Sequence, residues 1–372
     1  MSFGFVRVLI DYRPALRDRT GVGEWVHSLV SALVETDSAA DPLDLTIFSS
    51  SWKDRLDHSF PRVTRVDARI PVHLLNYCWH RFEWPPVEWL ARNRFDVVHS
   101  PHPLLIPTID AAQIVTIHDL DFLRHPEHTS GEIRRDYAHL VREHAHRARG
   151  VIVPSQFTAT EVANELGVDP ARISVCYNGA PPWLPRTEWP DRGHILFVGS
   201  LMRRKNIGTL LDAYQALLEC GESSHIPPLV LAGPLTKQAD DLIKVLEQPS
   251  LQNKVRHTGY IDSSRLRQLY EGASVLVLPS LHEGFGLPVV EAMKVGVPVV
   301  ASDRGALPEI VQDAGLIVDA SNHNELADAI KRMITDESFA KACAERGLQR
   351  AELFSWKESA KALRKAYQLA GS

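Results

Sequence analysis

Between Ala273 and Met293 the chain reads Ala-Ser-Val-Leu-Val-Leu-Pro, then Ser-Leu-His-Glu-Gly-Phe-Gly, then Leu-Pro-Val-Val-Glu-Ala-Met. A short apolar run without alternation fits a strand covered on both faces, the environment of a parallel sheet. Pro288 suits the first turn of a helix, where its missing N–H costs nothing. The stretch is therefore a strand, a glycine-bearing turn and a helix whose N-terminus opens at the carboxyl edge of a sheet. Unpaired N–H groups and the helix dipole make such a place favourable for a phosphate, and Gly284 and Gly286 let the backbone approach a ligand. Glu283 and Glu291 flank the turn. Either alone would be an ordinary solvated or dipole-favoured acid. As a pair beside an anion site they point to hydroxyl recognition, since an ionised carboxylate only accepts hydrogen bonds. A sugar nucleotide offers phosphates and two sets of hydroxyls.

The same strand-and-helix grammar recurs. Val6–Ile10, Leu43–Ile47, Asp96–His99, Gln113–Ile117 and Gly150–Pro154 read as one set of strands. His194–Gly199, Pro228–Ala232, Val255–His257, Ser274–Leu278, Pro298–Ser302 and Leu316–Val318 read as another. Helical segments fill the intervals, so the fold class is α/β with mostly parallel, doubly wound sheets. A proline-dense stretch from Ala180 to Gly193 lacks either period and separates the sets. The expected organisation is a Rossmann-like domain at residues 1–182, a linker at 183–193, a second Rossmann-like domain at 194–354, and a terminal helix at 355–372.

Bulk properties narrow the class. A chain of 372 residues is long for one core, and 44% hydrophobic with 23% charged residues is the balance of a globular enzyme. Net charge near −5 argues against wholesale nucleic-acid binding. Cys78, Cys176, Cys220 and Cys343 are scattered, which fits reduced thiols better than disulfides or a zinc site. The start of the chain runs straight into a strand pattern, and no apolar run reaches spanning length. The expected location is cytoplasmic.

Three further stretches carry chemistry. Arg203-Arg-Lys205 lies between a buried strand and an ordered helix, an unusual place for cations that serve only solubility. Thr116-Ile-His-Asp-Leu-Asp121 ends a strand at the carboxyl edge, where α/β ligand sites lie, and brings His118 there. Asp11 to Gly23 is a strand–loop–helix unit with Gly21 and Gly23, but not a dinucleotide fingerprint. Asp119-Leu-Asp121 also spells D-x-D, a short match that recurs by chance.

Glu283-Gly-Phe-Gly-Leu-Pro-Val-Val-Glu291 resembles the E-x7-E motif of retaining glycosyltransferases with the GT-B fold, and family 4 in particular. The resemblance extends over nearly the whole chain and implies two Rossmann-like domains facing a cleft, with the terminal helix crossing back to the first. It implies that Arg204 and Lys205 bind the donor diphosphate, with Ser200 standing where some members have arginine. It places Glu283 on donor-sugar hydroxyls and Glu291 on the ribose. The backbone of Phe285, Gly286 and Leu287 falls near sugar and phosphates, Ile261 near the base, and Gly21 and Gly23 opposite the donor. His118 matches the histidine beside the donor sugar, and Asp119 orients it or meets the acceptor. The implied chemistry is metal-independent, cofactor-free hexose transfer with retention by a front-face route. Val115–Leu120 and Val153–Phe157 resemble bacterial mannosyltransferases of polysaccharide assembly, which makes GDP-mannose the first expected donor. The alternatives are a UDP- or GDP-glucose or N-acetylglucosamine donor, a GT-B epimerase, or a two-lobed sugar-nucleotide binder without turnover. The acceptor is a saccharide, lipid-linked or small-molecule hydroxyl.

Two segments raise peripheral contact with the inner membrane face. Asn76–Trp89 is rich in aromatics, for which helix packing beneath the sheet is the commoner explanation. The segment from Glu132 to Arg149 carries five arginines on an expected helix, ordinarily a solvated face.

Overall fold

The computed structural model describes residues 6–16, 21–38, 42–56, 60, 62–126, 136–191, 193–220, 226–236, 245–246 and 248–372. The chain divides into two compact units, one of residues 1–179 with 356–372 and one of residues 180–355.

The first unit contains a parallel sheet of β1 (Val6–Asp11), β2 (Leu43–Ser49), β3 (Thr64–Asp67), β4 (Val97–Ser100), β5 (Ala112–Thr116), β6 (Gly150–Val153) and β7 (Ile173–Val175). Their spatial order is β3-β2-β1-β4-β5-β6-β7. Successive strands are added to one side from β1 to β3 and to the other side from β4 onward, which makes the carboxyl ends of β1 and β4 the switch point where α/β sheets bind ligands. Val8, Leu9, Val97, Val98 and Val115 are at most 1% exposed because helices cover both faces. The helix Val22–Glu35 buries Trp25, Leu29 and Leu33 against Leu363 and Tyr367 of the terminal helix Trp356–Gly371. That last helix therefore belongs to the first unit although it follows the second in sequence.

The second sheet holds β8 (His194–Val198), β9 (Leu229–Ala232), β10 (Val255–Gly259), β11 (Ala273–Leu278), β12 (Val299–Ser302) and β13 (Gly315–Val318). Its order is β10-β9-β8-β11-β12-β13, so its switch point lies between β8 and β11. Four residues of β11, Val275 to Leu278, have no exposure at all. The proline-dense stretch is packed rather than loose: Arg186 stacks 4.0 Å from the Trp189 ring and donates to the Ala273 carbonyl at 2.7 Å.

One reading of sequence needs correction here. In the aromatic stretch only Trp79 is fully buried, while Tyr77, Phe82, Trp84 and Trp89 face outward. The described part of the arginine segment is helical from residue 136, as a π turn leading into the α-helix Ala138–Arg147, and Glu132, Arg134 and Arg135 lie outside the described residues.

Candidate active site

The two loops that sequence singled out in the second unit follow β8 and β11, the strands on either side of its switch point. After β8 the backbone makes a single 3₁₀ turn at Arg203–Lys205 and stops at Asn206, which takes a left-handed φ of 57°. The Asn206 Nδ2 donates to the carbonyls of Pro279 at 3.1 Å and Ala320 at 2.7 Å, tying this turn to the loops after β11 and β13. A backbone bond from Leu281 N to Arg204 O, 2.8 Å, closes the seam. The order of the strands thus brings together residues almost eighty positions apart.

Glu283 is the hub of the seam. Its Oε1 accepts from Lys205 Nζ in a short ion pair and from Ser280 Oγ at 2.7 Å. Its Oε2 lies 3.4 Å from Arg204 Nη1, which also donates to the His282 carbonyl at 3.0 Å. Glu283 is 6% exposed and Lys205 9%. Burial alone would raise the Glu283 carboxyl, but the Lys205 and Arg204 charges and the donated hydrogen bonds hold it below its ordinary value. The group is therefore an anion clamped by two cations, with Arg204 the more accessible of the two.

Beyond Glu283 the chain turns at Gly286, whose φ of 101° is open to glycine and whose hypothetical Cβ would stand 2.6 Å from a Leu307 methyl. The helix Leu287–Val295 starts there with Pro288 in its first turn. Phe285 is buried edge-to-face on Phe354, 5.6 Å away, so its ring is a packing element and only its backbone belongs to the turn. A glycine at position 305 (φ 65°) lets the loop after β12 pass beneath the hub: a Cβ there would come within 2.4 Å of the Glu283 carbonyl. Ala306 N donates to that carbonyl at 2.9 Å. On the helix, Glu291 Oε2 accepts from the Tyr270 hydroxyl at 2.7 Å. Desolvation, reinforced by the nearby Glu291 charge, pushes that phenol well above its ordinary value, so it stays a donor. Ser200 and Ile261 are half-buried at the ends of β8 and β10.

The remaining candidates belong to the first unit. Gly21 caps the helix Val22–Glu35 and Gly23 is buried in its first turn. His118 follows β5, with Nε2 3.1 Å from the Pro101 carbonyl and its ring edge-on to Trp25 at 5.0 Å. Donation to a carbonyl requires the proton on Nε2. Desolvation lowers the His118 pKa despite the Pro101 bond and Asp119, so the ring is neutral near pH 7. Asp119 Oδ1 accepts from Asp121 N at 3.2 Å and shapes the turn into the helix Asp121–Arg124.

Sequence reading missed several partners. Ser280 and Tyr270 supply hydrogen bonds to the two glutamates, and neither had a local signal beyond its polarity. Asn206 alone carried one, since asparagine between a strand and a helix favours the left-handed turn. In the first unit, Asp11 and Arg13 form a buried ion pair of 2.7 Å at the β1 end, with His102 from the β4 end 3.5 Å from Asp11. Burial opposes ionisation of Asp11, yet Arg13 and His102 hold its carboxyl well below the ordinary range.

Two parallel-sheet Rossmann-like units with helices on both faces are the architecture of the GT-B fold. Sucrose-phosphate synthase from Thermosynechococcus elongatus superposes with a TM-score of 0.76 at 23% identity, over 97% of this chain and 98% of that one. Anabaena Alr3699/HepE, solved with UDP and glucose, gives 0.72 at 19% identity over 97% and 98%. Residues 19–183 match the Glycosyltransferase Family 4 model, and residues 185–350 match that of glycosyl transferases group 1. The O-antigen chain mannosyltransferase B of Escherichia coli is 31% identical over 294 residues, 76% of each chain. The chain belongs to glycosyltransferase family 4.

Proposed function

We propose that this glycosyltransferase moves mannose from GDP-mannose to a hydroxyl of a saccharide, lipid-linked or small-molecule acceptor, with retention at the anomeric carbon. The observation that carries the reading is the Arg204–Lys205–Glu283 cluster at the β8/β11 switch point, one turn before a helix N-terminus. As the bond from the anomeric carbon to the diphosphate oxygen breaks, negative charge builds on that oxygen. Arg204, Lys205 and the N–H groups that open the helix Leu287–Val295 are preorganised to absorb it, a contribution of about 3 kcal/mol per well-placed donor. The acceptor oxygen forms its new bond on the face the phosphate leaves, and the acceptor proton passes to the leaving phosphate oxygen. No step requires a metal ion or cofactor. Glu283 orients the two cations and presents its remaining acceptor capacity to donor-sugar hydroxyls, Glu291 takes the ribose, and His118 and Asp119 face donor sugar and acceptor. The mannosyl assignment draws support from the Escherichia coli relative. A lipid-linked acceptor would place the work at the inner membrane face.

The test is a thermal-shift screen of nucleotides and nucleotide sugars, followed by transfer assays with the donors that bind, with chelator present throughout. GDP and GDP-mannose are expected to raise the melting temperature by mass action, and mannose to appear on an acceptor. Arg204→Ala should lower kcat about a hundredfold with its melting temperature kept. Selective binding of UDP-glucose would replace the donor, epimerised nucleotide sugar without acceptor product would favour the epimerase, and strict divalent-ion dependence would redirect attention to Asp119 and Asp121.

A further inference from the structure

Glu291 stands half-buried in the helix Leu287–Val295, whose backbone is fixed from below: Val289, Val290, Ala292, Met293 and Val295 have no exposure. The carboxylate itself is separated from that backbone by three rotatable bonds, and glutamate is among the side chains with most rotamer freedom to lose. A rigid helix therefore does not by itself fix where the two oxygens point. Something on a neighbouring element must hold them if the group is to meet a ligand in one arrangement.

Tyr270, near the end of the helix Ser263–Glu271, is placed to do so. Its side chain has no exposure, and its ring packs on Trp183 of the proline-dense stretch, 5.7 Å between centroids at 52°. The hydroxyl has one proton and two oxygens within reach, Glu291 Oε2 at 2.7 Å and the Pro288 carbonyl at 3.3 Å. Bonds of the O–H···O kind centre on about 2.7–2.8 Å, so the proton goes to the acid. A buried phenol needs a partner, and a main-chain carbonyl would have been enough for that. Here the bond is given instead to the side chain of an acid on the following helix, and an ionised acceptor makes it about twice as strong as a neutral one. The phenol uses one of about four lone-pair positions on the carboxylate, so it fixes the group without exhausting it.

We propose that Tyr270 is a positioning residue for nucleotide recognition: its hydroxyl holds the Glu291 carboxylate in the arrangement that accepts from the ribose hydroxyls, and Trp183 holds the Tyr270 ring in place. The inference rests on the ribose role proposed above for Glu291. The carboxylate has then lost its freedom before the nucleotide arrives, and the affinity gained is that of preorganisation. The ribose lies away from the bond that breaks, so its contacts are alike in ground state and transition state. Their loss belongs in KM rather than in kcat.

Calorimetric titration of the full chain with GDP and UDP, and with the 2′,3′-dideoxy form of whichever binds, tests it. The wild type should prefer the ribonucleotide, and Glu291→Ala should abolish the preference. Tyr270→Phe keeps the ring and removes the oxygen; it should weaken ribonucleotide binding about tenfold and leave the dideoxy form unaffected. The double variant should bind the ribonucleotide no more weakly than Glu291→Ala alone, because the phenol acts only through the acid. In transfer assays Tyr270→Phe should raise KM for the sugar nucleotide about tenfold with kcat near that of the wild type. Glu291→Asp keeps the charge and the phenol but withdraws the carboxylate by one methylene, and should also lose the preference. A tyrosine that only fills the core would lower the melting temperature and weaken both nucleotides alike. That result, or a wild-type preference in Tyr270→Phe or Glu291→Asp, would overturn the proposal while Glu291→Ala still reports the ribose contact. Preference retained in Glu291→Ala, or no binding of either nucleotide by the wild type, would remove the ribose reading and this inference with it.

Discussion

Glu283 shows how one residue serves two demands. It is buried with two cations around it, and an ion pair so enclosed is strongly destabilised when one partner is removed. Glu283→Gln keeps the shape but leaves Lys205 enclosed without its counter-charge. We expect a loss of about 3 kcal/mol by urea denaturation. On the proposed function, a nucleoside diphosphate supplies the missing negative charge, so GDP should raise the melting temperature more in this variant than in the wild type. Equal shifts in the two proteins would separate the cations from the diphosphate. The glutamates themselves stand out in the sequence because of their spacing about a glycine turn. Ser280 and Tyr270, which hold them, do not, because a serine or tyrosine becomes a partner only through its position in space.

Among the elements, the terminal helix Trp356–Gly371 does the least obvious work. Its Tyr367 hydroxyl lies 2.7 Å from His99 Nδ1 on β4, and His99 Nε2 lies 2.8 Å from Thr116 Oγ1 on β5. Trp25 stands edge-on to both His99 and His118. The helix thus reaches, through buried hydrogen bonds, the strand that carries His118. Tyr367→Phe leaves a buried imidazole nitrogen without its partner and should cost about 2 kcal/mol in urea denaturation. Wild-type stability in that variant would show the bond to be dispensable. Strands with near-continuous apolar runs, such as β8, β9, β11 and β12, were legible in the sequence. The edge strands β3 (Thr-Arg-Val-Asp) and β7 (Ile-Ser-Val) were not, since an edge position asks for little burial and leaves little pattern. The aromatic stretch misled for the opposite reason: composition showed the rings but not which way each helix turns them.

Across the whole molecule, buried neutral histidines set the response to acid. Desolvation holds His99 to about 3 and His144 and His194 to about 4, against 6.5 in a solvated chain. Leu105 N donates to His144 Nδ1 at 2.9 Å, a bond only an unprotonated nitrogen accepts. The unfolded state therefore binds more protons than the native state below about pH 6.5, and stability falls as pH drops through that range toward 3 to 4. Glu283, with its depressed carboxyl, adds a loss that begins as pH falls through the ordinary carboxylate range and continues below it. Melting temperatures measured from pH 8 to pH 4 should decline steadily below about 6.5. A flat profile would mean that these imidazoles titrate in the fold as they do in water.

The sequence by itself determined the class of fold, the twofold repetition of strands and helices, and the two loops that meet at the switch point of the second sheet. These follow from local chemistry: apolar runs, a proline at a helix start, glycines where backbone must come close. Tertiary structure alone decided which distant residues share a hydrogen bond and which aromatic rings face water. Those outcomes depend on strand order and helix rotation, and neither is written in any short stretch of residues.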